Sequence, residues 1–466
     1  MEKNEKENGR SQWFDDAALE EKPSRLNTTV FLLICVIPVF SAVVYGAVDS
    51  WALGVLTFIC GLITVFWLLE AFFIKEFRFN SSFLQIPLVG LIIIGLIQLL
   101  PLRSGVSGDL LSFPPVNSLS LDAYSTRFFV IQLIVYSVFF AAALAFINNQ
   151  KRLQKIVLTI IIFGGLMAFF GILQRLADPE AIYGLRPTPQ AIPFASFVNQ
   201  HHFAAFMNMT LGLTLGFLFG KGVKKDKNLL LIIAASIMGI ALILTSSRGG
   251  ILSFFGVLGF LAIPRLLAKN NESSALETSD NKSKIVLIAG VLALILGLFG
   301  AVIMLGGDQN LLRGIGLSNS DDVSSGRTHF WAIALKIFFD YPILGVGLNA
   351  FGAAFTRYDT WNGTFRIEQA HNDYLQILAD AGIFGFVCVA AFIYLLFKKS
   401  ASAIETTDND YRKSAARGAL AGCFGILIHS FFDFPLRTPS NAFFFLLLVT
   451  IATFSISNNR QGKNKK

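Results

Sequence analysis

Apolar runs close to twenty residues long recur from residue 28 to residue 457, and that repetition constrains the fold more than any motif does. About 20 apolar residues cross about 30 Å of hydrocarbon as a helix, and in lipid only helices or closed barrels satisfy their own backbone. Twelve such runs are predicted, over 28–48, 51–73, 82–102, 127–147, 155–175, 201–220, 228–246, 249–268, 285–305, 372–397, 413–434 and 441–457. The expected fold is an all-α polytopic membrane protein with about 12 transmembrane helices and one long, partly helical outer loop. With 54% hydrophobic residues, 15% charged and 47 Phe, an ordinary soluble domain is excluded.

The charges divide the expected chain into two faces. Lys75, Arg78, Lys151, Arg152, Lys155, Lys221, Lys224, Lys225, Lys227, Arg265, Lys269, Lys282, Lys284, Lys398, Lys399, Arg412, Lys413 and the tail from Arg460 to Lys466 fall on one side of a twelve-helix path. That side is expected to be cytoplasmic. The segments are then a cytoplasmic tail over 1–27, helices over 28–305, an outer loop over 306–371, further helices over 372–457 and a basic cytoplasmic tail over 458–466. The first 26 residues mix acids with bases and do not fit a signal peptide. The net charge of +8 is accounted for by this topology, so no nucleic-acid partner is expected. Cys35, Cys60, Cys388 and Cys423 all lie inside apolar runs without CxxC spacing, which argues against disulfide or zinc chemistry.

The polar stretch from Ser318 to Gly382 breaks this pattern, and long non-helical segments between membrane helices tend to carry function. Before it, Arg248 sits in the tight outer turn Ser246-Ser247-Arg248-Gly249-Gly250. An arginine flanked by glycines offers a planar fork to phosphate oxygens, or else snorkels to lipid headgroups. Arg327 opens a helical pattern in which Phe330, Ile333, Ala334, Ile337 and Phe338 share a face, with Ser324 or Ser325 as the expected cap. A helix start carrying an arginine suits an anion, although pairing with Asp321 or Asp322 explains the same spacing. His371, followed by Asn372, Asp373 and Tyr374, opens the tenth helix, where an imidazole can take a proton from a hydroxyl or simply cap. Asp373 is badly placed to pair with His371 on a helix. His429 and Asp433 stand one turn apart, which predicts either an acceptor-lining pair or a structural hydrogen bond between the two.

Taken in order, Ser247-Arg248-Gly249, Gly326-Arg327 with Trp331, Pro342-Ile343-Leu344-Gly345-Val346-Gly347, and His371-Asn372-Asp373-Tyr374-Leu375 with Gly382-Ile383-Phe384-Gly385 resemble the O-antigen ligase and polymerase superfamily. Phe197 to Ala204, with Asn199 and His201 or His202, and Asp433 to Asn441 extend the resemblance. It implies a GT-C-type membrane glycosyltransferase in a bacterial inner membrane, with its active site at the periplasmic face. The donor would be a glycan on undecaprenyl diphosphate, and the acceptor either lipid A core or a growing glycan. Arg248 and Arg327 would hold the diphosphate and His371 would activate the acceptor hydroxyl. Asn199, His202, Asn372, Asp373, His429 and Asp433 are the candidate acceptor or supporting residues. The resemblance implies a reaction that inverts the anomeric carbon; fixed cations stabilise a departing diphosphate, so metal-independent chemistry without a cofactor is expected. Asp408-Asn409-Asp410 lies on the cytoplasmic side of the expected path. A ligase and a repeat-unit polymerase would use the same residues. A solute or inorganic carbon transporter is the more distant alternative, disfavoured because mid-helix ionisable residues are scarce.

Overall fold

The computed structural model describes residues 24–103, 117–177, 181–189, 191–267, 326–361 and 367–455. Among the described residues eight α-helices precede residue 268: α1 Arg25–Val43, α2 Ser50–Ile74, α3 Gln85–Gln98, α4 Ala123–Phe146, α5 Gln150–Ala177, α6 Gln200–Leu218, α7 Asn228–Leu244 and α8 Arg248–Leu267. After residue 325 come α9 Arg327–Asp340, α10 Phe351–Tyr358, α11 Asp373–Thr406, α12 Asp410–His429 and α13 Pro439–Ala452. A two-residue antiparallel hairpin, β1 Ala181–Ile182 and β2 Arg186–Pro187, is the sole sheet among the described residues. The structure is thus all-α in class, and helices are found where eleven of the twelve apolar runs predict them. The run over 285–305 lies outside the described residues.

Among the described residues six helical segments, Arg25–Val43, Ser50–Ile74, Ala123–Phe146, Gln150–Ala177, Lys225–Leu244 and Asp373–Thr406, are long and apolar enough to cross a membrane. Gln85–Gln98, Arg248–Pro264 and Pro439–Ala452 are shorter apolar helices. Several starts follow from sequence. Ser24, Asp122, Asn199, Asn372 and Asn409 each accept a backbone N–H of the following first turn, satisfying donors that a helix leaves open.

α6 and α12 form the centre of the bundle. Residues 202–217 of α6 are all buried, and its Gly212 and Gly216 face Gly422 and Gly418 of α12. A Cβ on Gly216 would stand 2.2 Å from the Gly418 Cα, and one on Gly212 would stand 2.4 Å from the Gly422 nitrogen. The spacing is therefore that of a small-xxx-small seam, which brings two backbones into direct contact where lipid supplies no hydrophobic drive.

The segment from Pro342 to Asn349 is more than a turn. α11 breaks at Gly382, with φ 60° and ψ −158°, and the segment docks on that break. Ile383 N donates to Pro342 O at 2.8 Å, Val346 N to Ala379 O at 2.9 Å and Gly347 N to Asp380 O at 3.0 Å. A Cβ on Gly382 would meet Ile343 O at 2.4 Å, and one on Gly345 would meet the Asp380 carbonyl carbon at 2.4 Å. Gln98 of α3 seals the junction, donating to Leu344 O and Asp380 O and accepting from Leu348 N. The glycines at 345 and 382 are required by this contact, which fixes α11 at its break against the 342–349 segment.

Candidate active site

One end of the bundle gathers the starts of α6, α8, α9 and α11 with the end of α12. Lys151, Lys155, Lys398, Lys399, Arg412 and Lys413 lie at the opposite ends of their helices. Each helix start carries a partial positive charge at its open N–H groups, which suits an anion placed beside it.

His371 precedes α11 with φ 50°, in the left-handed region that costs a non-glycine residue about 1–3 kcal/mol. The neighbouring Asn372 accepts from Tyr374 N and Leu375 N and donates to Phe431 O, which anchors the distortion. Asp373 Oδ2 accepts from Ser430 Oγ at 2.8 Å, and its N–H donates to Ser430 O at 2.9 Å. Both residues therefore lace the start of α11 to the turn after α12. That turn carries Asp433, and His371 Nδ1 lies 3.0 Å from Asp433 Oδ1.

Asp433 is 1% exposed and is the only carboxylate among the described residues paired to both His371 and Arg327. Its Oδ1 also accepts from Phe434 N at 2.9 Å. Arg327 NH2 stands 3.9 Å from Oδ2, an ion-pair distance beyond hydrogen-bond reach. Burial alone would push the Asp433 carboxyl up. The His371 hydrogen bond and the His201 and His202 imidazoles outweigh it and hold the group well below the ordinary carboxylate range. A carboxylate on Nδ1 fixes the imidazole with its proton there and leaves Nε2 as the acceptor.

Arg327 is the first residue of α9, and Gly326, at φ 79°, occupies the cap position expected for Ser324 or Ser325. Those serines lie outside the described residues. Arg248 is the first residue of α8 and is partly buried. Ser247 caps that helix, accepting from Gly250 N at 3.2 Å, and shares a 3.0 Å hydrogen bond with His201 Nδ1. Gly249 lies against His429, where a Cβ would stand 3.1 Å from the ring. The Arg248 turn is thereby tied to α6 and α12, beside the same group of imidazoles.

The remaining candidates are held in structural roles. Asn199 caps α6 through His201 N at 2.8 Å. His202 shares a 2.7 Å hydrogen bond with Thr438 Oγ1 and meets Phe434 edge to face, with centroids 4.8 Å apart. Phe434 meets His371 in the same way, also at 4.8 Å. The expected hydrogen bond between the His429 and Asp433 side chains is not found; the Asp433 N–H instead donates to the His429 carbonyl at 3.1 Å. α12 ends at His429 rather than at 434, so Asp433 falls in the following turn and its carboxylate faces His371. Among the described residues His429 Nδ1 has no hydrogen-bond partner.

Sequence reasoning missed two elements. Arg437 NH2 pairs with Asp380 Oδ2 at 2.5 Å and its NH1 donates to Asn349 at 2.9 Å, so a buried ion pair joins the turn after Asp433 to the break in α11. Its only sequence signal was an acid in an apolar run. His329 also went unnoticed, two residues after Arg327 on the first turn of α9.

Residues 233–390 match the family model described as O-antigen ligase. The match takes in Arg248, Arg327 and His371 and ends before Asp433. No curated protein matches the chain.

Proposed function

We propose, for a chain whose residues 233–390 match the O-antigen ligase family model, that it transfers a glycan from undecaprenyl diphosphate to an acceptor hydroxyl, on lipid A core or a similar molecule. The family itself implies a glycosyltransferase-like membrane enzyme acting on lipid-linked glycans. The observation that carries the proposal is convergence. Arg327 and His371, from separate segments, meet on the Asp433 carboxylate, at 3.9 Å from Oδ2 and 3.0 Å from Oδ1 respectively, at the end of the bundle where Arg248 opens α8.

In the proposed reaction the acceptor hydroxyl gives its proton to His371 Nε2 as its oxygen attacks the anomeric carbon. The bond from that carbon to the diphosphate oxygen breaks, its electron pair leaves with the diphosphate, and the anomeric configuration inverts. Asp433 stabilises the imidazolium that forms, as a buried carboxylate does for a general base. Arg248 and Arg327, each at a helix start, stabilise the negative charge gathering on the leaving group. Two fixed cations support a metal-independent transfer, which activity surviving a chelator would test.

The proposed setting is a bacterial inner membrane, with both termini cytoplasmic and the site periplasmic, supported by the lysines and arginines at the opposite end of the helices. The 306–371 segment then supplies Arg327 and His371 from the outer side. Reporter fusions inside 270–284 should report cytoplasm, and fusions between 340 and 350 periplasm; the reverse would invert the site. Cells lacking the chain should retain polymer on the carrier and lose long chains from lipid A. Single-repeat products would instead indicate the polymerase, and unchanged glycans would refute both.

A further inference from the structure

Trp361 is half exposed yet held in one orientation. Its ring stacks on His329, with centroids 4.3 Å apart and planes 5° apart. His329 Nε2 lies 2.9 Å from Asp359 Oδ1, and the same oxygen accepts from Trp361 N at 3.1 Å. Three residues thus close a clamp that fixes the indole without burying it. Phe330 meets the ring edge to face at 5.7 Å. With His329 stacked on it and Phe330 against it, the residue still stays 50% exposed.

The clamp sits at the entrance to α9. A Cβ on Gly326 would stand 3.0 Å from Trp361 Cη2, so the indole lies across the residue that precedes Arg327. A rigid aromatic face beside a cationic helix start matches a ligand with an apolar ring next to an anionic group. A pyranose linked to a diphosphate has that chemistry: its axial C–H face is apolar, and ordering a fixed indole costs little on binding.

We infer that Trp361, clamped by His329 and Asp359, is a stacking platform for the first sugar of the lipid-linked donor, the ring attached to the diphosphate. This rests on the proposed donor. It adds that the chain grips the sugar itself and not only the diphosphate. An interfacial tryptophan holding lipid headgroups is the competing explanation, and it predicts no dependence on the sugar.

The test compares full-length protein in nanodiscs binding two probes, bare undecaprenyl diphosphate and the same carrier bearing one N-acetylglucosamine. The wild-type protein should bind the sugar-bearing probe more tightly, by about tenfold for a good aromatic contact. Trp361→Ala should remove that increment and leave the bare carrier unaffected. Trp361→Phe should keep most of it, which separates stacking from misfolding, and His329→Ala should lose part of it. An increment that survives Trp361→Ala, equal weakening of both probes, or no increment in the wild-type protein would overturn the inference. If neither probe binds the wild-type protein, the carrier reading fails, and soluble N-acetylchitotetraose decides the platform. Binding lost in Trp361→Ala supports it, and binding that is absent or unchanged overturns it.

Discussion

Replacing Asp433 with Asn removes one charge from the centre of the site while nearly preserving its shape. A unit charge about 4 Å from the imidazolium contributes about 4 kcal/mol at an effective dielectric of about 20. The His371 side chain is 30% exposed, and solvent screening reduces this to about 2 kcal/mol. That alone slows a general-base step by about 30-fold. Asn adds a second effect. If its amide N–H₂ turns to Nδ1, the ring proton moves to Nε2 and the base is lost, which carries the loss toward about 10⁴-fold. The assay is transfer by purified protein from an undecaprenyl-diphosphate glycan, with kcat and donor KM measured separately. The expected result is a kcat at least about 30-fold lower with donor KM changed by less than about threefold. An Asp433→Asn protein that is inserted, monodisperse and within about threefold of wild-type kcat would refute the His371–Asp433 pairing as a catalytic arrangement.

Further predictions concern the frame. Gly216→Val forces apart the seam with Gly418 and should cost at least about 1–3 kcal/mol, seen as a lower melting temperature; wild-type melting would refute the seam. Arg437→Ala strands the buried Asp380 carboxylate and should cost about 3–5 kcal/mol, with Asp380→Asn in the same chain recovering part of it. Asp433 has a depressed folded-state pKa, so its stabilising contribution is present above the unfolded carboxylate value near 4 and is lost as pH falls below it. The melting difference between wild type and Asp433→Asn should hold from pH 5 to 8 and narrow below about pH 4; a difference independent of pH would contradict the charge assignment.

Much of the frame was legible because membrane helices announce themselves by length. The long apolar runs have no soluble alternative, and caps such as Asn199 and Asn372 mark their own helix starts. The site was legible only as separate residues. Arg248, Arg327 and His371 could be named from turns and helix starts, but what joins Arg327 and His371 is Asp433, 62 residues beyond His371. No periodicity records a hydrogen bond between two turns that far apart. Asp433 was instead matched to His429, its neighbour one turn back, because local spacing was the only geometry the sequence offered. The Asp380–Arg437 pair was hidden likewise: each looked like an isolated charge near an apolar run. Gly345 and Gly382 stand in the sequence only as members of short motifs, whereas their reason is a backbone contact between segments that meet only in the fold.

In the proposed mechanism His371 is the base of a transfer whose leaving diphosphate is held by Arg248 and Arg327. Single-turnover transfer by purified wild-type, His371→Ala, Arg248→Ala and Arg327→Ala proteins, with donor binding measured in parallel, separates these roles. His371→Ala should bind donor normally and transfer at least about 10²-fold more slowly, while both arginine variants should lose donor affinity. Transfer by His371→Ala at the wild-type rate would contradict the claim.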